Sequence, residues 1–249
     1  MTLRDLMAPV IRGDLYYATR PRRPKVTVDP SGVTRDTVDP SGVTRDMRSD
    51  AEFALWARAR ALPVSWIPEG ATVLDVGCGP GKLKVARPDL DVYGYEPDEE
   101  DWKAALARGT LDWHGSMYLP RVDVLFLMDV VEHMAHPRED LERWLAQIGP
   151  GRTVIVECPD FWSPMAQLYG DRFRLLHDPD HVSLFTTESL VRMLRDLGVM
   201  IEDVAYPYFG GLYDTAENAA KQSAWADING IPLSPAAPGN MVAVRGRKR

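Results

Sequence analysis

Residues 73–81 read VLDVGCGPG. An apolar run carrying a single acid, Asp75, breaks into glycines at every second position: Gly77, Gly79 and Gly81. A short apolar run bounded by glycine reads as a buried strand that ends in a tight turn. Backbone bare of side chains lets a ligand approach closely. The stretch therefore predicts a strand delivering a ligand-binding turn.

Working outward, strands and helices alternate. Ser49 or Asp50 can cap a helix whose Phe53, Trp56 and Ala57 share a face, with Pro63 and Pro68 ending it. Thr72–Val76, Asp91–Tyr95, Val122–Met128 and Thr153–Glu157 read as strands. Pro137 opens a helix with Leu141, Trp144, Leu145 and Ile148 at i, i+3, i+4 and i+7, stopped by Gly149-Pro150-Gly151. Glu188–Leu197 is a helix with Leu190, Met193, Leu194 and Leu197 on one face, closed by Gly198. Met200–Ala205 and Met241–Val244 read as the last two strands. Alternation of this kind predicts a mainly parallel sheet covered on both faces. Such sheets bind ligands beyond the carboxyl ends of their strands, where the glycine turn lies.

The glycine spacing is G-x-G-x-G, preceded two residues earlier by Asp75. A dinucleotide fingerprint would be G-x-G-x-x-G, and Lys82 stands where its third glycine belongs. The pattern D-x-G-x-G-x-G resembles the first motif of class I S-adenosylmethionine-dependent methyltransferases. Three further stretches agree. Glu96 of VYGYEP ends the second strand 19 residues beyond Gly77, where a carboxylate can accept both ribose hydroxyls. DVLFLMDVVEH, residues 123–133, corresponds to the fourth strand and its loop. Asp180-His181 through Leu190 is similar to the D-H-x-x-x-F-T-x-x-S-L stretch of small-molecule members, among them ubiquinone-type O-methyltransferases and sugar methyltransferases. The resemblance covers residues 70–204 and the last strand. It implies an α/β, Rossmann-like, mainly parallel seven-stranded sheet with helices on both faces and an antiparallel last strand.

What the resemblance implies for ligands is specific. The cofactor is S-adenosylmethionine, leaving as S-adenosylhomocysteine. Asp75, Gly77, Cys78, Gly79 and Gly81 would meet its methionine end, Glu96 and Pro97 its ribose, Ser116 its adenine, and Asp129 and Val130 would line the pocket through backbone. Tyr17, with Tyr16 beside it, would close over the cofactor from the N-terminal segment. For a hydroxyl or ammonium acceptor a base must take a proton, and imidazole suits the task. His133 is the first candidate and His181 the second, ahead of His177 and His136. Some related O-methyltransferases, of ubiquinone-pathway and small-RNA type, carry E-x-x-E-H at this loop and bind Mg²⁺. Here Asp129, Glu132 and His133 fill that pattern, with His181 as a further ligand. Because hard Mg²⁺ prefers oxygen ligands, the expectation is no metal, with that set as the alternative.

Residues 1–50 form an N-terminal extension. Within it Thr27–Asp36 and Thr37–Asp46 both read TVDPSGVTRD, a duplicated turn or short hairpin rather than a solenoid, which needs more units. Residues 51–249 carry the catalytic domain. Insertions at about 159–176 and 206–238 hold aromatics such as Phe161, Trp162, Phe173, Tyr208 and Phe209. These can line an acceptor pocket, fill a core under loops, or form a homodimer face.

The chain's formal net charge of −7 argues against nucleic acid as partner, because phosphate binding wants a basic face. No apolar run reaches membrane-spanning length, and the N-terminus lacks a signal-peptide pattern, so a cytoplasmic protein without a membrane partner is expected. Cys78 and Cys158, the two cysteines, read as buried thiols. The function expected is methyl transfer to an O or N atom of a small molecule, a saccharide or natural-product intermediate. The alternatives are a nucleic-acid methyltransferase and a cofactor-binding protein without turnover.

Overall fold

The computed structural model describes residues 1–21, 37–38, 44–45, 49–113, 121–207, 234 and 239–249. In chain order the elements are α1 (Leu3–Ile11), β1 (Ala18–Thr19), β2 (Thr37–Val38), β3 (Thr44–Arg45), α2 (Asp50–Ala59), α3 (Ala61–Ser65), β4 (Thr72–Val76), α4 (Lys82–Ala86), β5 (Asp91–Tyr95) and α5 (Glu99–Ala107). There follow β6 (Leu111–Asp112), β7 (Val124–Met128), α6 (Pro137–Ala146), β8 (Thr153–Pro159), α7 (Pro164–Tyr169), β9 (Ser183–Leu184), α8 (Thr187–Asp196), β10 (Val199–Ala205) and β11 (Met241–Lys248).

Seven strands form one sheet in the order β10-β11-β8-β7-β4-β5-β6. β4 pairs parallel with β5 and β7, and β7 with β8. β11 runs antiparallel to both β8 and β10. The expected sheet is thus present, antiparallel last strand included. From β4 the chain steps one way to β5 and β6, then returns to the other side of β4 for β7 and β8. This reversal opens a crevice at the carboxyl ends of β4 and β7.

Alternation along the strands splits the core in two. Leu74, Val76, Leu125, Leu127, Val154 and Val156 pack with Leu141 and Leu145 of α6 and Leu190 and Leu194 of α8. Val73, Val92, Val124, Phe126 and Ile155 face the other way, onto Val64, Ile67 and Leu83. Asp75 shares the side of Val73, under α2 and α4, yet it is acidic and buried. A third cluster joins Leu3, Met7 and Val10 of α1 to Phe161, Phe173 and Leu184. β1 pairs antiparallel with β9, Ala18 opposite Leu184, which ties this segment to the domain.

Several boundaries differ from the sequence reading. Pro63 does not end the helix that begins at Ser49. The break falls at Arg60 (φ −110°, ψ 19°), and Pro63 sits inside α3. A proline in a first turn removes an N–H that has no helical partner anyway. β7 begins at Val124 rather than Val122, and β11 runs on to Lys248. In the second copy of the decapeptide, Thr37 pairs opposite Arg45 and Val38 opposite Thr44. The first copy, Ser116, and most of the 206–238 insertion lie outside the described residues. Among the described residues no helix is long and apolar enough to cross a membrane.

Candidate active site

The turn after β4 explains its glycines. Gly77, Gly79 and Gly81 have φ of 70°, 52° and 88°, the left-handed region that L side chains avoid. A Cβ on Gly77 would stand 2.6 Å from Val130 Cγ2, so the turns after β4 and β7 meet there without room for a methyl. The N–H groups of Gly77 and Cys78 both donate to Tyr95 O, which fixes the turn against the end of β5. Cys78 contributes backbone here. Its side chain is buried over Gly94, and burial pushes the thiol pKa up.

Glu96 reaches back across this crevice. One carboxylate oxygen accepts from Gly79 N–H at 3.0 Å and the other from Asp98 N–H at 2.8 Å. Pro97 is exposed beside it. Burial nevertheless raises the Glu96 pKa, and burial followed by repulsion from Glu96 raises that of Asp75 well above the carboxylate range. Two carboxylates under such strain call for hydrogen-bond donors or a cation between them.

A second charged group lies under α2. Asp129, the only non-glycine at positive φ among the described residues (55°), turns its carboxylate to Arg60 Nη2. The Arg60 side chain is 12% exposed, and its Nε lies 3.4 Å from Glu157 Oε1. Burial raises Glu157 from its ordinary 4.5 to about 8, more than Arg60 draws it down. Arg60 therefore balances Asp129 first. Lys82 is also largely buried, and its pKa is lowered by burial and then by Arg60. Sequence reasoning missed Arg60 and Glu157, and it noted Lys82 only as a displaced glycine. The available signal was two arginines, Arg58 and Arg60, closing an otherwise amphipathic helix just before the glycine strand.

The Glu157 shift gives a testable pH dependence. Between about pH 4.5 and 8 the folded chain keeps a proton that the unfolded chain releases, so stability falls as pH rises and levels off above 8. Glu157→Gln removes this slope. The expected result is a Tm difference that grows by several degrees in the variant's favour from pH 5 to pH 8, measured by calorimetry. A constant difference would place the Glu157 pKa near its ordinary value.

The third group gathers the candidate bases. After β7 the chain makes a single 3₁₀ turn, Val131–His133. Glu132 is fully buried, and neither of its carboxylate oxygens has a hydrogen-bond partner among the described residues. Its Oε1 lies 4.0 Å from the Nε2 of His133 and 4.0 Å from the Nε2 of His181. The two imidazole rings are 4.9 Å apart. His133 Nδ1 faces Asp180 O at 3.0 Å and His181 Nδ1 faces Leu175 O at 2.6 Å. A carbonyl can only accept, so each Nδ1 carries a proton, and in the neutral ring each Nε2 has its lone pair on the side of Glu132. Burial raises the Glu132 pKa well above the carboxylate range, with Asp129 adding to it. Burial lowers that of His181, although Asp178 Oδ2 stands 3.7 Å from its Nε2. The N–H of Val182 donates to Glu132 O, which seats the His181 loop on the 3₁₀ turn. From the N-terminal segment, Arg20 donates to the carbonyls of Leu176, Asp178 and His181 and so braces the loop from outside.

Other sequence candidates sit elsewhere. Tyr16 donates to Asp196 Oδ2 at 2.6 Å, between Arg138 and Arg192, and does not fold over the glycine turn. Tyr17 packs on Phe185, ring centroids 5.5 Å apart. His177 faces Asp171 O at 2.8 Å. Phe161 and Phe173 are wholly buried in the cluster with α1, so they are core. The metal alternative also changes membership. The groups whose ligand atoms lie within 4.8 Å of one another are Glu132, His133 and His181, while Asp129 is turned to Arg60.

A glycine turn at the sheet's reversal point, a carboxylate closing the next strand, and a buried acid flanked by two imidazoles suit a nucleoside cofactor and a proton-transfer reaction. Comparison with known proteins agrees. A profile described as a methyltransferase domain matches residues 46–204, well over half the chain. The chain belongs to this methyltransferase family. It is an S-adenosylmethionine-dependent methyltransferase of class I fold. The ubiquinone biosynthesis O-methyltransferase of Aeromonas salmonicida is 25% identical over 207 residues, covering 72% of this chain and 85% of that protein. Among solved structures, a SAM-dependent methyltransferase of Thermotoga maritima is 20% identical with a TM-score of 0.54, covering 80% of this chain and 90% of that one. Another, from Mesorhizobium loti, is 17% identical with a TM-score of 0.50, covering 78% and 100%. These two likenesses concern the fold.

Proposed function

We propose that this methyltransferase acts on a hydroxyl oxygen of a small organic molecule, in the saccharide and natural-product class, with the Glu132–His133–His181 group removing the hydroxyl proton. The observation that carries the reading is that group: two imidazole Nε2 lone pairs turned to one buried, unpartnered carboxylate, on the same turn as Asp129 and Val130. His133 is the member with an exposed edge, its side chain 33% accessible, so the acceptor meets it first. A base at this point matters because a neutral hydroxyl is a poor nucleophile toward a sulfonium methyl. The distant relative named as an O-methyltransferase supports oxygen over nitrogen. The net charge of −7 weighs against nucleic acid.

Asp75 and Glu96 supply the two strained carboxylates, and we assign them the cofactor's ammonium and ribose hydroxyls. Arg60 and Lys82 are the buried cations beside the same turn, and we assign them its carboxylate. The alternative drawn from some of the resembled O-methyltransferases is a divalent ion at this turn. The residues fit one, because Glu132, His133 and His181 offer three converging lone-pair atoms with no competing hydrogen bonds at the carboxylate. An ion held there would lower the hydroxyl's pKa in place of a free base.

The test is transfer of label from methyl-labelled S-adenosylmethionine to a panel of catechols, phenols, hexoses, primary amines and a short RNA. Label on the hydroxyl acceptors is the expected result. Label confined to amines or RNA overturns the acceptor class. Cofactor binding without transfer to any of them overturns turnover itself.

A further inference from the structure

We propose that the Glu132–His133–His181 site selects a borderline transition ion of the Zn²⁺ kind over Mg²⁺, and that Arg60 makes this choice by withholding Asp129. The inference rests on the proposed reading only for the use of the ion; its binding stands apart.

Three observations carry it. First, the converging atoms are two imidazole nitrogens and one carboxylate, all within 4.8 Å of one another. Imidazole suits Zn²⁺ and Fe²⁺, whereas Mg²⁺, and to a lesser degree Mn²⁺, seek oxygen. Second, both imidazoles are oriented from behind. Each Nδ1–H points to a backbone carbonyl, Asp180 O or Leu175 O, and this fixes Nε2 as the donor atom. Third, the oxygen that would enrich the site is engaged. Asp129 lies three residues before Glu132, but its carboxylate pairs with Arg60 and stands outside the converging set. Asp178, at 3.7 Å from His181 Nε2, is a further carboxylate at the rim, and adding it leaves both imidazoles in the set. The ion and the proton compete for the same Nε2 lone pairs, so binding weakens toward acid.

The experiment is calorimetry on chelator-stripped, tag-free full chain with Zn²⁺, Mn²⁺ and Mg²⁺ in turn, without cofactor. A Co²⁺ titration followed by visible absorption reports imidazole coordination directly. One Zn²⁺ per chain, bound at least ~100-fold tighter than Mg²⁺, with Mn²⁺ between, is expected. Glu132→Gln and His133→Asn should each weaken Zn²⁺ by ~10–100-fold and bleach the Co²⁺ bands, with circular dichroism confirming the fold. Arg60→Met should release Asp129 and narrow the Zn²⁺ to Mg²⁺ ratio by ~10-fold. Mg²⁺ binding within ~10-fold of Zn²⁺, no binding of any ion, or Zn²⁺ binding indifferent to both ligand variants overturns the site. An unchanged ratio in Arg60→Met overturns the part given to Arg60. Since none of these readouts uses methyl transfer, they fail or succeed independently of the labelled-acceptor assay.

Discussion

Glu96→Ala should weaken S-adenosylmethionine and S-adenosylhomocysteine binding by roughly 30–1000-fold, corresponding to a loss of ~2–4 kcal/mol. Two effects combine. The first is the carboxylate itself, which in the proposed reading accepts the ribose hydroxyls through charge-assisted bonds. The second is the turn it braces. Glu96 accepts from Gly79 N–H and Asp98 N–H. It therefore holds the glycine turn and the start of α5 at a fixed distance before the cofactor arrives. Alanine removes both anchors and leaves the N–H groups to water. Glu96→Gln separates the two effects, because its amide oxygen can still take one backbone N–H while the charge is gone. Its loss should be intermediate, ~10-fold, with Tm close to wild type. Calorimetry of both ligands on the three proteins decides the matter. Alanine within ~3-fold of wild type would mean that the ribose is held elsewhere and that Glu96 is only a clasp of the turn.

The sheet was legible because its signals are local. Five-residue strands such as Thr72–Val76 and Asp91–Tyr95 are written as apolar runs with glycine stops, and their order follows from alternation with helices. The glycine turn was legible for a related reason: positive φ at three alternate positions leaves glycine as the low-cost residue. The misreadings come from long-range packing. Nothing within Pro159–Leu176 says that Phe161 and Phe173 lie against α1, more than 150 residues earlier, rather than in a pocket. Likewise Arg60 meets Asp129 only because α2 crosses the sheet at its reversal point, 69 residues upstream. As bases His133 and His181 were picked out singly, and only the resemblance-based metal alternative set them side by side. Their meeting depends on Val182 N–H finding Glu132 O and on β1 pairing beside it at β9. Glu132, which the sequence offers only as a ligand of the metal alternative, thereby lies between the two imidazoles.

That centre gives the second large effect. Glu132→Gln should lower the rate of methyl transfer by about 10²–10⁴-fold, the range typical of losing acid–base assistance. Cofactor affinity should stay within ~3-fold, since the ribose is assigned to Glu96, which sits on the glycine turn after β4 and not on the Glu132 turn. Gln is nearly isosteric, so the packed site keeps its volume and loses only the carboxyl's capacity to take or release a proton. Either way the group works, the carboxyl is needed. An imidazole that has taken a proton is stabilised by a carboxylate 4.0 Å away, and an ion held by both imidazoles needs that carboxylate to complete its set. A merely structural role makes a different forecast, and acceptor acidity exposes it. If Glu132 serves proton removal, the loss should be greatest with an aliphatic alcohol and should shrink by ~10-fold or more with an acidic nitrophenol, which is already ionised at neutral pH. If the variant only loosens the loop that carries His181, both acceptors should suffer alike. Single-turnover transfer with saturating cofactor, measured on the two acceptor types, reads this directly. Equal losses across them would remove Glu132 from the chemistry and leave it as a buried strut.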